Sequence, residues 1–382
     1  MAWFIFFGII ILIVISVLLF LKSAVFGALP PEGRYSASPN YKNGAFRNLE
    51  VTQMMVHSNN MTLLGALWKF LNKPEDTSPQ KALPTIKTDL KKLDYDAPAI
   101  VWFGHSSYLI SYKKVNVLVD PVFSGRVSPV PVGGKAFKGA DVYNVDDMPD
   151  IDILVLTHDH YDHLDYKTIK KLHPRVKKII TSLGVSYHLR RWGVDENKII
   201  ETDWNDTVKI SDDIKFTALT GRHFSGRQFK RNQTLWNSFV MNFFGYRFYL
   251  GGDSGYGKHF KEIIFKYGPF DIALIECAQY GEGWPLIHMT PEQCLQAAID
   301  INTKVLLPVH WAKFALALHP WDEPIDRLLK ANENVKMEIT TPRIGEVVVM
   351  NKDLPKSKWW ETIYSPRIGE VVVMNKDLPK SK

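Results

Sequence analysis

The segment Thr157-His158-Asp159-His160-Tyr161-Asp162-His163-Leu164-Asp165 places three imidazoles and three carboxylates directly after the apolar run Ile151–Leu156. Such a density of ionisable groups at the end of a strand is costly unless a divalent cation compensates the crowding. Imidazole with carboxylate is a donor set that suits zinc. His158 and His160, two positions apart, project from the same side of an extended chain, whereas Asp162 and His163 follow in a turn and can face a second ion. A solvated polar loop is the bland alternative, and the clustering of His, Asp, His and His argues against it.

These residues need a scaffold, and the surrounding sequence supplies strands and helices in alternation. β-Branched and aromatic runs predict strands at Ile100–Phe103, Tyr108–Tyr112, Val115–Val119, Ile151–Thr157, Lys215–Leu219, Ser238–Phe243 and Arg247–Leu250. Helical spacing appears at Tyr166–Leu172, Val185–Trp192, His259–Tyr267, Pro291–Ile301 and Pro324–Ala331. Thr290, Pro291 and Gln293 mark the best-signalled helix start, with Thr290 as N-cap and Gln293 reaching back. Together these elements predict a layered α/β architecture.

The 382 residues, 46% apolar and 23% charged with a net charge of +7, exclude a disordered, collagen-like or small disulfide-stapled protein. Cys277 and Cys294 fit no zinc or redox spacing and read as small buried hydrophobes. The basic excess is spread thinly, so nucleic-acid binding has no specific support. From Trp3 to Leu21 the chain carries no charge, long enough at about 1.5 Å per residue to cross a hydrocarbon core of about 30 Å. A single transmembrane anchor over residues 1–22 is expected rather than a cleaved signal peptide, which would have a basic start and a shorter apolar core. Lys22, Arg34, Lys42 and Arg47 follow it, which places the remainder in the cytoplasm by the positive-inside rule. Residues 23–95 read as a spacer with one amphipathic helix at Met61–Leu71, packed on the core. The catalytic domain is expected over 96–350. A tail over 351–382 contains an exact duplication, since PRIGEVVVMNKDLPKSK at 342–358 recurs at 366–382. One copy is expected to supply a last strand at Glu346–Met350 and the other to hang free.

The pattern His158-x-His160-x-Asp162-His163 after a strand resembles the signature of the metallo-β-lactamase superfamily, which implies its four-layer αββα fold. Further parts of that pattern occur in order: Asp120 in Leu118-Val119-Asp120-Pro121, His223 in Thr220-Gly221-Arg222-His223, Asp253 in Gly251-Gly252-Asp253-Ser254-Gly255, and His310 in Pro308-Val309-His310-Trp311. The resemblance implies two zinc ions. His158, His160 and His223 would bind one, Asp162, His163 and His310 the other, and Asp253 both, with Asp120 and His105 in supporting roles. Three protein ligands per ion leave open positions for a water between metals about 3.5 to 4 Å apart, and its pKa can fall toward about 7, making hydroxide the implied nucleophile.

Several runs are more specific. Phe103-Gly104-His105-Ser106-Ser107, Leu235-Trp236-Asn237-Ser238, Tyr267-Gly268-Pro269-Phe270-Asp271 and His310-Trp311-Ala312-Lys313-Phe314 resemble the N-acylphosphatidylethanolamine-hydrolysing phospholipase D family and its bacterial relatives. The resemblance implies a phosphodiesterase that releases an N-acylethanolamine from phospholipid. His288, in Ile287-His288-Met289-Thr290, would contact the phosphate or the leaving oxygen, and Asp162 and His288 stand as the candidate catalytic side chains. The basic group Arg222, Arg227, Lys230 and Arg231 could hold an anionic head group, with Arg222 and Arg227 nearest His223 in sequence. The stretch Glu276-Cys277-Ala278-Gln279-Tyr280 departs from the family and puts substrate identity in question. A lactone or sugar-phosphate lactone hydrolase is the alternative. Histidines 57, 173, 188, 259 and 319 are read as ordinary structure.

Overall fold

Alternation decides which way each strand faces. In Ile151–Leu156, Ile153 and Val155 enter one apolar cluster while Leu154 and Leu156 enter another, as the two-residue period of extended chain requires. The computed structural model describes residues 2–55, 65, 72–130, 133–227 and 229–363. Among these, two seven-stranded sheets form. The first runs Val347–Val349, Ala99–Trp102, Tyr108–Tyr112, Val115–Val119, Ile151–Leu156, Val176–Ser182 and Ile199–Thr202. Its first four strands are antiparallel neighbours and the rest pair in parallel. The second runs Glu338–Ile339, Thr303–Val309, Phe270–Glu276, Tyr246–Leu250, Asn237–Phe243, Ile214–Thr220 and Thr207–Lys209, parallel at the first end and antiparallel at the other.

Trp102, Ile110 and Val155 of the first sheet meet Phe216, Phe239 and Leu250 of the second in one cluster, the layer between the sheets. The helices Tyr166–Leu172 and Ser186–Arg191 cover the outer face of the first through Ile169, Leu172 and Leu189. His259–Tyr267, Pro291–Asp300 and Glu323–Asn332 cover the second through Ile263, Leu295 and Leu328. This is the expected αββα order. The capping box at Thr290 and Gln293 forms as read, and both cysteines are buried.

The flanking segments agree with expectation at the apolar helix and the last strand and differ from it in the spacer and the tail. Ala2–Leu21 is one exposed apolar helix. The described residues of 23–95 are not a loose spacer, because Phe26, Phe46, Leu83 and Leu90 are buried against the domain. Tyr35 donates to Glu201 at 2.7 Å, and Ser38 and Asn40 donate to Asp203. The helix expected at 61–71 lies outside the described residues apart from Gly65, as does the second copy of the duplicated segment. The first copy supplies the edge strand Val347–Val349. The chain beyond it is not all tail, since Trp359 and Trp360 are buried against Trp311, Trp359 stacked at 5.4 Å and Trp360 edge-on at 5.6 Å between ring centroids. Trp360→Ala should therefore cost about 3–5 kcal/mol by emptying a core position, read as a lowered midpoint in chemical denaturation.

Candidate metal centre

The sequence-predicted donors sit where strands end. Asp120 follows Val115–Val119, His158 to His163 follow Ile151–Leu156, His223 follows Ile214–Thr220, Asp253 follows Tyr246–Leu250, and His310 follows Thr303–Val309. Both sheets thus send their C-terminal strand ends to one crevice, the usual ligand site of open α/β sheets. The backbone there is held in left-handed conformations at His105, Asp120 and His310, with φ of 53°, 40° and 72°, an arrangement that persists only where surroundings enforce it. Gly255 lets the Asp253 loop pass close to its neighbour, for a Cβ there would lie 1.9 Å from the Leu286 carbonyl oxygen.

His158 Nε2 and His223 Nε2 lie 3.0 and 3.1 Å from His160 Nδ1, and both face Asp253 Oδ2, at 3.8 and 3.7 Å. His223 Nδ1 donates to the Ile287 carbonyl at 2.9 Å, which leaves the Nε2 lone pair aimed inward. In the neighbouring cluster His163 Nε2 stands 3.2 Å from Asp253 Oδ2 and 3.6 Å from Asp162 Oδ2, while His310 Nδ1 is 3.2 Å from Asp253 Oδ1. Asp253 therefore presents an oxygen to each cluster. Asp120 accepts from Thr157 N–H and from Thr157 Oγ1, and its Oδ2 holds His163 Nδ1 at 2.8 Å. His105 Nε2 holds Asp162 at 2.9 Å. Asp120 thus orients the His163 ring and His105 the Asp162 carboxylate.

A cation fits this arrangement. His163 Nε2 and His310 Nε2 are fully buried without a hydrogen-bond partner, and nitrogens facing one another at about 3 Å cannot all be satisfied by protons. Among the described residues three groups of donor atoms converge within 4.8 Å, His158, His160, His223 and Asp253 in one, His105, Asp162, His163 and His310 in the next, and Asp253, Glu276, His288 and His310 in a third that overlaps both the shared carboxylate and the cavity wall. Burial pushes His158, His223 and His310 well below the ordinary imidazole range and His160 to about 4, so these donors are neutral and ready to ligate. His163 is the exception. Burial opposes its charge, but the carboxylates of Asp253, Asp162 and Asp120 outweigh that and hold it well above the ordinary value, so a proton sits where the carboxylates call for a positive charge.

Beside the donors opens a cavity of about 230 Å³ walled by Met54, Met55, Phe224, Trp284, Ile287 and Leu316. His288 lines it, its Nδ1 2.7 Å from Glu276 Oε2, while Glu276 Oε1 accepts from Ser254 N–H. The basic residue on its wall is Arg231. The two arginines expected to bind substrate do not reach it. Arg222 spends its guanidinium on Thr52 Oγ1, Tyr256 O and Val51 O, beside a separate cleft. Arg227, 3% exposed, donates to the carbonyls of Asp159, Leu164 and Val25 and lies 4.0 Å above the Tyr161 ring. Arg227 is spent on backbone carbonyls and Arg222 on two of them and the Thr52 hydroxyl, which corrects the substrate role expected of both.

Sequence reasoning passed over three contributors. Glu276 ends the strand Phe270–Glu276 level with Asp253, a carboxylate closing an apolar run, and that position was the available signal. Asn48 brackets His223 by accepting from its N–H and donating to its carbonyl, and nothing local in the sequence announces it. Gln279, in the departing stretch, donates to the His310 and Phe314 carbonyls and accepts from Leu316 and Ala317 N–H, stitching down the loop behind the ligand. His188, read as ordinary structure, is a buried partner of Asp159 at 3.2 Å, and His57 lies outside the described residues.

Residues 115–311 match the family described as the Beta-lactamase superfamily domain. An uncharacterised protein of Mycobacterium tuberculosis is 37% identical over 327 residues, 85% of this chain and 87% of that one. A Caenorhabditis elegans protein named N-acyl-phosphatidylethanolamine-hydrolyzing phospholipase D 1 is 28% identical over 265 residues, 64% of this chain and 74% of that one. Among solved structures, a metallo hydrolase of the archaeon Ignicoccus hospitalis matches with a TM-score of 0.52 at 18% identity, over 67% of this chain and 100% of that one, a likeness of fold. With family, fold and donor clusters in agreement, this chain belongs to the beta-lactamase superfamily and is a metal-dependent hydrolase with the metallo-β-lactamase fold.

Proposed function

We propose that the chain is a membrane-anchored, binuclear zinc phosphodiesterase of the phospholipase D type, acting on N-acylphosphatidylethanolamine-like lipids from the cytoplasmic side. The observation that carries this reading is the cavity: an apolar wall suited to acyl chains meets Arg231, His288 and both donor clusters at one end. The worm relative's name supports the substrate class. The anchor is supported by the residues just after the helix. Phe26 is buried and the carbonyls of Ala24 and Val25 accept from Trp192 and Arg227, so removal of a leader at this point would strip part of the fold.

His158, His160 and His223 would hold one ion and Asp162, His163 and His310 the other, with Asp253 able to serve both. Bound there, zinc would supply Lewis-acid stabilisation of phosphoryl charge and acidify a water. The protein's own contribution is positional. Asp120 fixes the His163 ring and His105 fixes Asp162, so neither ligand turns away. Burial raises Glu276 well above the ordinary carboxyl range and lowers His288, so the pair keeps a proton between them and Nε2 keeps its hydrogen. His288 is thereby a donor aimed into the cavity, able to hold a phosphoryl oxygen or pass a proton to the leaving alkoxide. Arg231 supplies charge for the head group, and the methionines adapt to acyl shape.

The test is an assay of the purified full chain against N-acylphosphatidylethanolamine, other phosphodiesters and lactones, with and without chelator. Phosphodiester turnover should vanish on chelation and return with zinc. Lactone turnover with no phosphodiester turnover would sink the reading.

A further inference from the structure

The chain leaving the apolar helix is bonded directly to the metal loop. Arg227 donates to the Val25 carbonyl at 3.0 Å and, from the same guanidinium, to the carbonyls of Asp159 and Leu164. His188 repeats the link, accepting from Ala28 N–H at 3.1 Å while its other ring nitrogen meets Asp159. The contact is tight, since Gly27 has φ 69° and a Cβ there would fall 2.0 Å from His188 Nδ1. Val25 is four residues beyond Leu21, at most about 14 Å of chain, and the head-group layer of one leaflet is about 5–8 Å deep. If the helix spans a bilayer, Arg227 stands at its surface.

Two residues on from Arg227 the same loop exposes Phe229, 85% accessible, followed by exposed Lys230 and by Arg231, which lines the cavity. An aromatic ring flanked by cations is the chemistry of an anionic lipid interface. We propose that Phe229, Lys230 and Arg231 form a lipid-docking surface that seats the cavity mouth on the leaflet entered by the anchor, so that substrate passes from that leaflet to the metals without crossing water. This rests on the reading of Ala2–Leu21 as a membrane span and deepens the phospholipid reading of the site.

The test uses the full chain reconstituted in phosphatidylcholine–phosphatidylglycerol vesicles. Cys277 and Cys294 are buried, so an environment-sensitive thiol dye reports on Phe229→Cys alone. The control is Asp212→Cys, just before the start of the seven-residue strand Ile214–Thr220 and so about 23 Å from its ligand-bearing end. The dye at 229 should shift to the blue and be quenched by lipid carrying a head-group-level spin label, and the control dye should not. Phe229→Asp should lower turnover of bilayer-embedded N-acyl phospholipid by about fivefold or more and leave turnover of soluble bis(p-nitrophenyl) phosphate unchanged. Equal emission and quenching at both sites would overturn the proposal, even if lipid is hydrolysed. Quenching at 229 in a protein that hydrolyses no phosphodiester would uphold the docking surface and discard the phosphodiesterase instead.

Discussion

Asp253→Asn protein should carry far less metal than the parent and lose turnover by roughly a hundred- to a thousandfold, the range for deleting one group that stabilises developing charge. The expectation follows from position. One carboxylate oxygen faces His158, His163 and His223 and the other faces His310, so the substitution weakens both clusters together. Asn keeps the shape of the side chain, and the fold should survive because burial already raises this carboxyl to about 6. Metal per chain by elemental mass spectrometry, kcat/KM and circular dichroism measure the three parts separately. The paired change Asp162→Ala and His163→Ala offers a check from the second cluster: full activity in that protein would refute a two-cluster mechanism.

His288→Ala should lower kcat on a natural phospholipid by about a hundredfold, within the usual worth of a positioned proton donor, with KM changing little. Glu276→Gln should fall between this and the parent, at about tenfold, because the amide still reaches Nδ1 and Ser254 N–H but no longer holds the shared proton. A substrate with a p-nitrophenol leaving group separates proton delivery from simple support, since that phenolate departs without a proton. Both variants should be far less impaired on it. Equal impairment on both substrates would limit the pair to holding the phosphate.

Most of the donors were legible because they follow strands whose pattern is local, such as the β-branched run into Thr157-His158 and Tyr249-Leu250 into the glycines before Asp253, whereas the strand that ends at His310 was not read. Their convergence is a property of chain reversal between two sheets and is visible only in three dimensions, so the ligand set rested on resemblance. Val176–Ser182, Phe270–Glu276 and Thr303–Val309 escaped prediction for one reason. They are interior parallel strands, buried on both sides beyond their first residues, and such runs lose the alternation that marks a half-exposed strand. With Phe270–Glu276 unread, the place of Glu276 at its end could not be read either. The errors over Arg222 and Arg227 come from nearness in sequence. Basic residues flanking His223 look like an anion site, but a guanidinium has five donors to satisfy, and here backbone carbonyls and the Thr52 hydroxyl claimed them first. Arg231, the farthest of the three from His223 in the chain, is the one that reaches the cavity.

The packing of Trp359 and Trp360 against Trp311 has a consequence for biosynthesis. Trp311 adjoins the ligand His310; Trp102 supports one side of its ring, and the rest of its aromatic support lies some fifty residues further on. At about 5–20 residues per second, a ribosome takes several seconds to deliver that support after His310 has been made. During this interval the other six donors are already synthesised while the seventh lacks part of its backing. The packing behind His310 is therefore completed only once Trp360 has been made, and a nascent chain halted short of it carries its histidines in a cleft that is not yet fully backed.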